Sequence, residues 1–227
     1  MPVRMSPKQY LLWSTALPVL LVGLASSAAF GRAPQVPARV QPAGSSSIAV
    51  SKSGIPYRPN DDAGPRDLVD AIRARRGGRL LNLDRMLLHS PPFAQGWNGM
   101  FAAIRGELSL SPKLRELAIM SIAVLNRADY EWVQHEKEFF AAGGTTEQRD
   151  GLRNPAAALV DTKLFDETER ATLALTYEMT REVVVADATM RRMRALLPDR
   201  QVVELVGTIA GYNMVSRFLV ATGVELE

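Results

Sequence analysis

The sequence predicts an all-α domain of seven to nine helices. Three observations carry that prediction: apolar residues recur at helical spacing from Arg66 onward, start and stop signals punctuate them, and no run alternates convincingly with a period of two. In "RDLVDAIRARRGG", Leu68, Val69 and Ile72 share one face and Gly77 marks the end. A short helix opens at Asn82 in "NLDRMLLHS". Ser90 with Pro91, and Ser111 with Pro112, repeat one device, an N-cap followed by a first-turn proline. They start "PPFAQGWNGMFAAIRG" and "PKLRELAIMSIAVLN", the second so apolar (Leu114, Leu117, Ala118, Met120, Ile122, Val124, Leu125) that it reads as the central helix.

Asp129 is placed as the cap of "YEWVQHEKEFFAAGG", which stops at Gly143 and Gly144. Thr145 with Gln148, and Asp166 with Glu169, have capping-box spacing and open two further helices. Asp187 opens "ATMRRMRALL", Pro198 breaks it, and a long last helix runs from about Asp199 to Ala221. The run Val183 to Val185 is the only strand-like stretch, expected to be a buried connection.

Ahead of this domain, residues 1–31 have their own character. Arg4 and Lys8 precede the apolar "LLWSTALPVLLVGLA" and the small residues of "SSAAFG", the three parts of a secretory signal peptide. The alternative is an uncleaved anchor, since roughly 20 apolar residues cross a bilayer, although Pro18 and the serines weaken it. Either reading places the domain outside the cytoplasm, periplasmic or secreted, or tethered to a membrane. Residues 32–65, rich in Pro, Ser, Gly and Ala, are expected to be a flexible tether, leaving 66–227 as the folded domain.

The net charge of +3 comes from residues 1–65, the leader and tether together. Residues 1–65 hold 6 basic and 2 acidic residues, whereas 66–227 hold 21 and 22. A near-neutral domain lacks the footprint of a nucleic-acid binder, and the clusters Arg73, Arg75, Arg76, Arg79 and Arg191, Arg192, Arg194 read as helix ends where cations suit the macrodipole. There is no cysteine, which removes disulfides, thiolate metal sites and thiol redox chemistry together.

The candidate chemistry lies in "RADYEWVQHE", residues 127–136. Glu131 and His135 are four apart and project from one helix face, so the carboxylate can orient the imidazole as a proton carrier near neutral pH. The competing reading is a solvated surface pair worth about 0.2–0.5 kcal/mol. Glu116 sits in an otherwise apolar helix and needs a complementary partner, for which His135 is the natural choice; first-turn placement at a positive helix end is the alternative. His89, before a proline turn, is expected to cap a carbonyl, with a substrate contact as the alternative, while Trp97, Met100 and Phe101 have helical spacing that suits core packing first and a pocket wall second. A metal reading of His135 with Glu116 and Glu131 lacks the second histidine of an HExxH pattern, so no metal is expected.

The stretch "LRELAIMSIAVLNRADYEWVQHE", with the Gly-Gly-Thr-Thr that follows and the closing "VELVGTIAGYNMVSRF", resembles the carboxymuconolactone decarboxylase family, whose relatives include the alkylhydroperoxidase AhpD proteins. The resemblance runs from about Leu68 to the C-terminus and implies an AhpD-like helical bundle. In the peroxidase, or peroxiredoxin-like, branch, two cysteines precede the histidine. Their positions here are Ala128 and Glu131, so that chemistry has no nucleophile, while the upstream glutamate and the histidine match Glu116 and His135.

The decarboxylase branch needs no thiol. It implies an acid-base lyase acting on a small carboxylated or lactone compound without a cofactor, with His135 carrying the proton and Glu116 and Glu131 as its partners. Arg115 or Arg217 would bind the carboxylate, Tyr212 would donate to the developing oxyanion, and Tyr130 and Trp132 would wall the substrate. A non-catalytic exported binding or assembly protein on the same scaffold is the alternative. The resemblance also implies a homo-oligomer, a trimer or hexamer, and the apolar helix at 112–126 would suit burial there.

Overall fold

The computed structural model describes residues 49–227. The leader at 1–31 and the tether up to 48 lie outside the described residues. Ten helices follow one another without a strand among those residues: α1 (Arg66–Arg75), α2 (Asn82–Leu87), α3 (Pro91–Gly106), α4 (Pro112–Leu125), α5 (Asp129–Ala141), α6 (Thr146–Gly151), α7 (Pro155–Ala158), α8 (Glu167–Arg181), α9 (Asp187–Leu196) and α10 (Asp199–Thr222). The tenth element missed by the sequence reading is α7, a single turn that Asn154 caps by accepting from the Ala157 amide. Four residues give too little periodicity to register.

Capping explains most boundaries. Thr145 and Gln148 cap α6 reciprocally, as do Asp166 and Glu169 at α8. Ser90 and Ser111 occupy the N-cap positions of α3 and α4, but their hydroxyls make no capping bond and the first-turn proline remains the start signal. Asp129 and Asp187 prove to be first-turn residues, with Ala128 and Ala186 at the cap; their carboxylates favour the positive helix end without bonding it.

The core is organised around α4, whose residues from Leu117 to Ala123 are buried, most of them completely. It packs against α5, α8 and α10. Each large apolar side chain buried there stabilises by about 1.5–3 kcal/mol. Pro112 at the start of α4 is exposed, and Val124 and Leu125 at its end are only partly buried. At its end, Arg127 adopts a left-handed φ of 56° and the Ala128 amide donates to Ala123 O at 2.8 Å. This tight reversal returns α5 along α4 and brings Glu116 to His135.

Two expectations are corrected. Val183 and Val184 are 79% and 74% exposed, and Val183 has a positive φ of 66°, so the 183–185 connection is a surface turn and not a buried one. The tether also ends earlier than residue 65. Tyr57 and Ala63 are buried, the Tyr57 hydroxyl accepts from the Glu225 amide at 2.9 Å, and the Lys52 amide donates to Gly223 O at 3.1 Å. Residues 49–65 thus belong to the folded unit, which runs from Ser46 to Glu227. Among the described residues, no helix is long and apolar enough to cross a membrane.

Candidate active site

Glu116 and His135 meet in the core between α4 and α5. His135 Nδ1 lies 2.7 Å from Glu116 Oε2, while Glu116 Oε1 accepts from Arg115 Nε at 3.0 Å. Burial alone would raise the Glu116 carboxyl, but the His135 hydrogen bond, the His135 charge when that ring is protonated, and the charge and hydrogen bond of Arg115 outweigh it, so this carboxylate lies below the usual range. An ionised carboxylate only accepts, so Nδ1 carries the ring proton. Burial pulls His135 below its ordinary value despite Glu116, and the nearby Arg105 cation adds to this. The resting imidazole is therefore neutral, with the lone pair of Nε2 facing Arg105 Nη1 at 3.5 Å.

Glu131 is placed differently from the expectation. It shares the face of His135 but does not bond to it; the histidine is held by Glu116 instead. Glu131 is 1% exposed, and neither of its carboxyl oxygens has a hydrogen-bond partner among the described residues. Burial, reinforced by the negative charge of Glu116, pushes this carboxyl well above the ordinary value. Two carboxyl groups in one site are thus shifted in opposite directions.

Both Glu131 and His135 belong to the lining of a cavity of about 180 Å³. Liquid water occupies about 30 Å³ per molecule, so the space suits a small compound. Trp97, Phe101, Leu81, Leu83, Val215 and Leu219 make its apolar wall. Tyr212 lies edge-on to the His135 ring, with centroids 5.0 Å apart, and burial pushes its hydroxyl up to about 12 against the pull of Arg105. Tyr130 also lines the cavity, donating its hydroxyl to Glu227 Oε1 at 2.9 Å; burial and that carboxylate raise its pKa.

The remaining sequence candidates fall outside. Arg115 holds Glu116 and donates to Arg105 O at 3.2 Å, Trp132 is buried under the Arg153 guanidinium at 3.6 Å, and Arg217 is exposed, bonded to Asn213 of its own helix. None of the three lines the cavity. His89 caps Pro56 O at 2.6 Å.

The cations of the site come from elsewhere: Arg75, Arg76 and Arg79 at the end of α1, Arg105 of α3 and Lys137 of α5. Buried Asp84 orients the first two, accepting from Arg76 Nε at 3.3 Å and lying 3.7 Å from Arg75. Burial, then the neighbouring Arg76 charge, holds Arg75 down to about 10. The sequence signal was present in "RARRGGR", but as a helix terminus it explained itself. Among the described residues, no three histidine, aspartate or glutamate side chains converge as a metal site requires.

Residues 91–176 match the model of the carboxymuconolactone decarboxylase family, a span that contains Glu116, Glu131 and His135. The resemblance read from the sequence holds over that span. Solved structures similar to the chain include an uncharacterised peroxidase-related protein from Silicibacter sp. (19% identity, TM-score 0.62) and an uncharacterised peroxidase-related protein with an alkylhydroperoxidase AhpD core from Ralstonia eutropha (17%, 0.64). The debrominase Bmp8 is also similar (16%, 0.64). Each alignment covers 75% of this chain and 90% of the other. At these identities the likeness is one of fold, AhpD-like and all-helical. No curated protein matches the sequence.

Proposed function

We propose that the cavity is the active site of a thiol-independent acid-base lyase acting on a small anionic compound, a carboxylated lactone or a close relative. The observation that carries this reading is the His135–Glu116 pair at 2.7 Å, which leaves an unprotonated Nε2 at a cavity whose lining includes several cations. Arg75, Arg79 and Arg105 attract and orient the anion, arginine being suited to planar carboxylates. The apolar wall removes water from the reacting carbon.

As the anion seats, its charge raises the proton affinity of His135, and Nε2 takes a proton from solvent. The carbon–carboxyl bond then breaks, CO2 departs, and the electron pair spreads toward the conjugated carbonyl. His135 delivers its proton to carbon and returns to neutral, with Glu116 stabilising the transient imidazolium. Proton transfer of this kind contributes about 10²–10⁴-fold.

The absence of cysteine weighs against the peroxidase chemistry named for similar proteins, since no thiolate can attack a peroxide. Export through residues 1–31 and assembly into a homo-oligomer complete the proposal, and fractionation and sedimentation test them. The deciding experiment measures CO2 release from a carboxymuconolactone by the full chain and by His135→Ala. Release that the substitution lowers by about 10²-fold or more supports the reading. Absence of release from the wild type overturns the lyase assignment in favour of a binding or assembly role.

A further inference from the structure

Glu131 is the one buried charged side chain of the site with both oxygens unpartnered among the described residues, and it belongs to the lining of the cavity. An ionised carboxylate at 1% exposure needs hydrogen-bond donors or a cation. Glu131 has neither. It faces the negative charge of Glu116, which His135 and Arg115 keep ionised. Its stable state there is the neutral acid, which presents one O–H donor and one carbonyl acceptor to whatever enters.

Among the described residues nothing uses that donor. Buried polar groups without partners are rare, and for a residue in a cavity lining the missing partner can come from the ligand. Arg105 and Tyr212 line the same cavity and add a cation and a second hydroxyl near Glu131, opposed by the carboxylates of Glu116 and Glu138. Water-excluded donors aimed at developing charge act more strongly than they would in solution.

We propose that Glu131, as a carboxylic acid, is an oxyanion-binding residue: its O–H takes the carbonyl oxygen of the substrate and holds it as an enolate-type oxygen while His135 handles the proton at carbon. The ligand class follows. It is a carbonyl compound whose oxygen becomes anionic during reaction, and a phenolate is its stable mimic. The proposal rests on the cavity being the active site, but its test does not depend on turnover.

The probe is para-nitrophenol, whose absorbance reports its ionisation, titrated into the full chain and into Glu131→Ala and Glu131→Gln. Circular dichroism and thermal melts establish that each variant is folded. A hydrogen bond to a charged group is worth about 1.5–3 kcal/mol, so Glu131→Ala is expected to bind the phenolate about tenfold to a hundredfold more weakly. Glu131→Gln, which still donates through its amide, loses less. An ionised Glu131 gives the opposite sign, because deleting a repelling charge tightens phenolate binding. Unchanged or tighter binding by Glu131→Ala, or no binding by the wild type, overturns the proposal. In addition, infrared difference spectra at neutral pH should contain a protonated-carboxyl band that disappears in Glu131→Gln; its absence from the wild type also overturns it. If the lyase assay fails while the phenolate result holds, the oxyanion site stands and only the assigned reaction falls.

Discussion

At the scale of single residues, the site separates three ionisable groups by their surroundings. Glu116 is ionised because two donors reach it, His135 is neutral because burial outweighs one carboxylate, and Glu131 is protonated because nothing reaches it. The last has a consequence for stability. A carboxyl raised in the folded state keeps its proton where the unfolded chain releases it, so the unfolded state gains as pH rises above about 4.3. Glu131 therefore destabilises the native chain at neutral pH. Glu131→Gln should be more stable than the wild type near pH 7, with a gain that shrinks on acidification and vanishes near pH 4. Urea unfolding of the two proteins across that range checks the sign, and a gain that persists unchanged at pH 4 contradicts a protonated Glu131.

Glu116 has the opposite sense. Its depressed pKa gives stability above the unfolded value that is lost as pH falls through the lower folded value. In catalysis it positions the ring, so Glu116→Gln should lower kcat by about 10²-fold or more with little change in KM, because the amide no longer fixes the tautomer or stabilises the imidazolium. The pairing of Glu116 with His135 was legible as a buried charge in search of a complement. The isolation of Glu131 was not, since helical spacing shows which residues share a face and says nothing about which of them a second helix will claim.

At the scale of elements, helix ends decide where the site walls stand. Gly223 closes α10 with a left-handed φ of 61°, and a side chain there would meet Ser53 N at 2.8 Å and Lys52 Cβ at 2.9 Å. The Gly223 carbonyl also accepts from the Lys52 amide, so this residue joins the end of α10 to the segment before α1. Gly223→Ala should cost about 1–3 kcal/mol, from the strained backbone and the displaced strap together. Equilibrium denaturation measures it, and wild-type stability would contradict the close approach.

Capping boxes and proline starts made most helices legible, because those signals are local. The cation cluster at the end of α1 was misjudged for the same reason. Arg75 and Arg76 do sit in the last turn and C-cap of α1, as their sequence position suggests. That Asp84 turns them onto a cavity walled by α3, α5 and α10 depends on how three later helices pack.

At the scale of the whole molecule, the boundary of the folded unit is set by long-range contacts that composition hides. A Pro- and Ser-rich stretch reads as tether, yet Tyr57 is 3% exposed, and Arg85 Nε donates to Arg58 O at 2.6 Å across 27 residues. One buried aromatic placed among polar residues was the signal, diluted by its neighbours. A chain beginning at Arg66 lacks this strap and exposes the surface that Tyr57 covers. Burying such a side chain stabilises by about 1.5–3 kcal/mol. For a domain of this size, each kcal/mol shifts Tm by about 2–4 °C, so the shorter chain should melt roughly 3–12 °C below one beginning at Ser46. The loss should extend to the site, because the strap ties down the segment Gly223–Glu227, whose last side chain bonds the cavity residues Tyr130 and Gln134. Phenolate affinity measured on both chains separates the alternatives: weaker binding by the shorter chain means that the strap supports the cavity wall, whereas equal affinity with a lower Tm confines its role to stability.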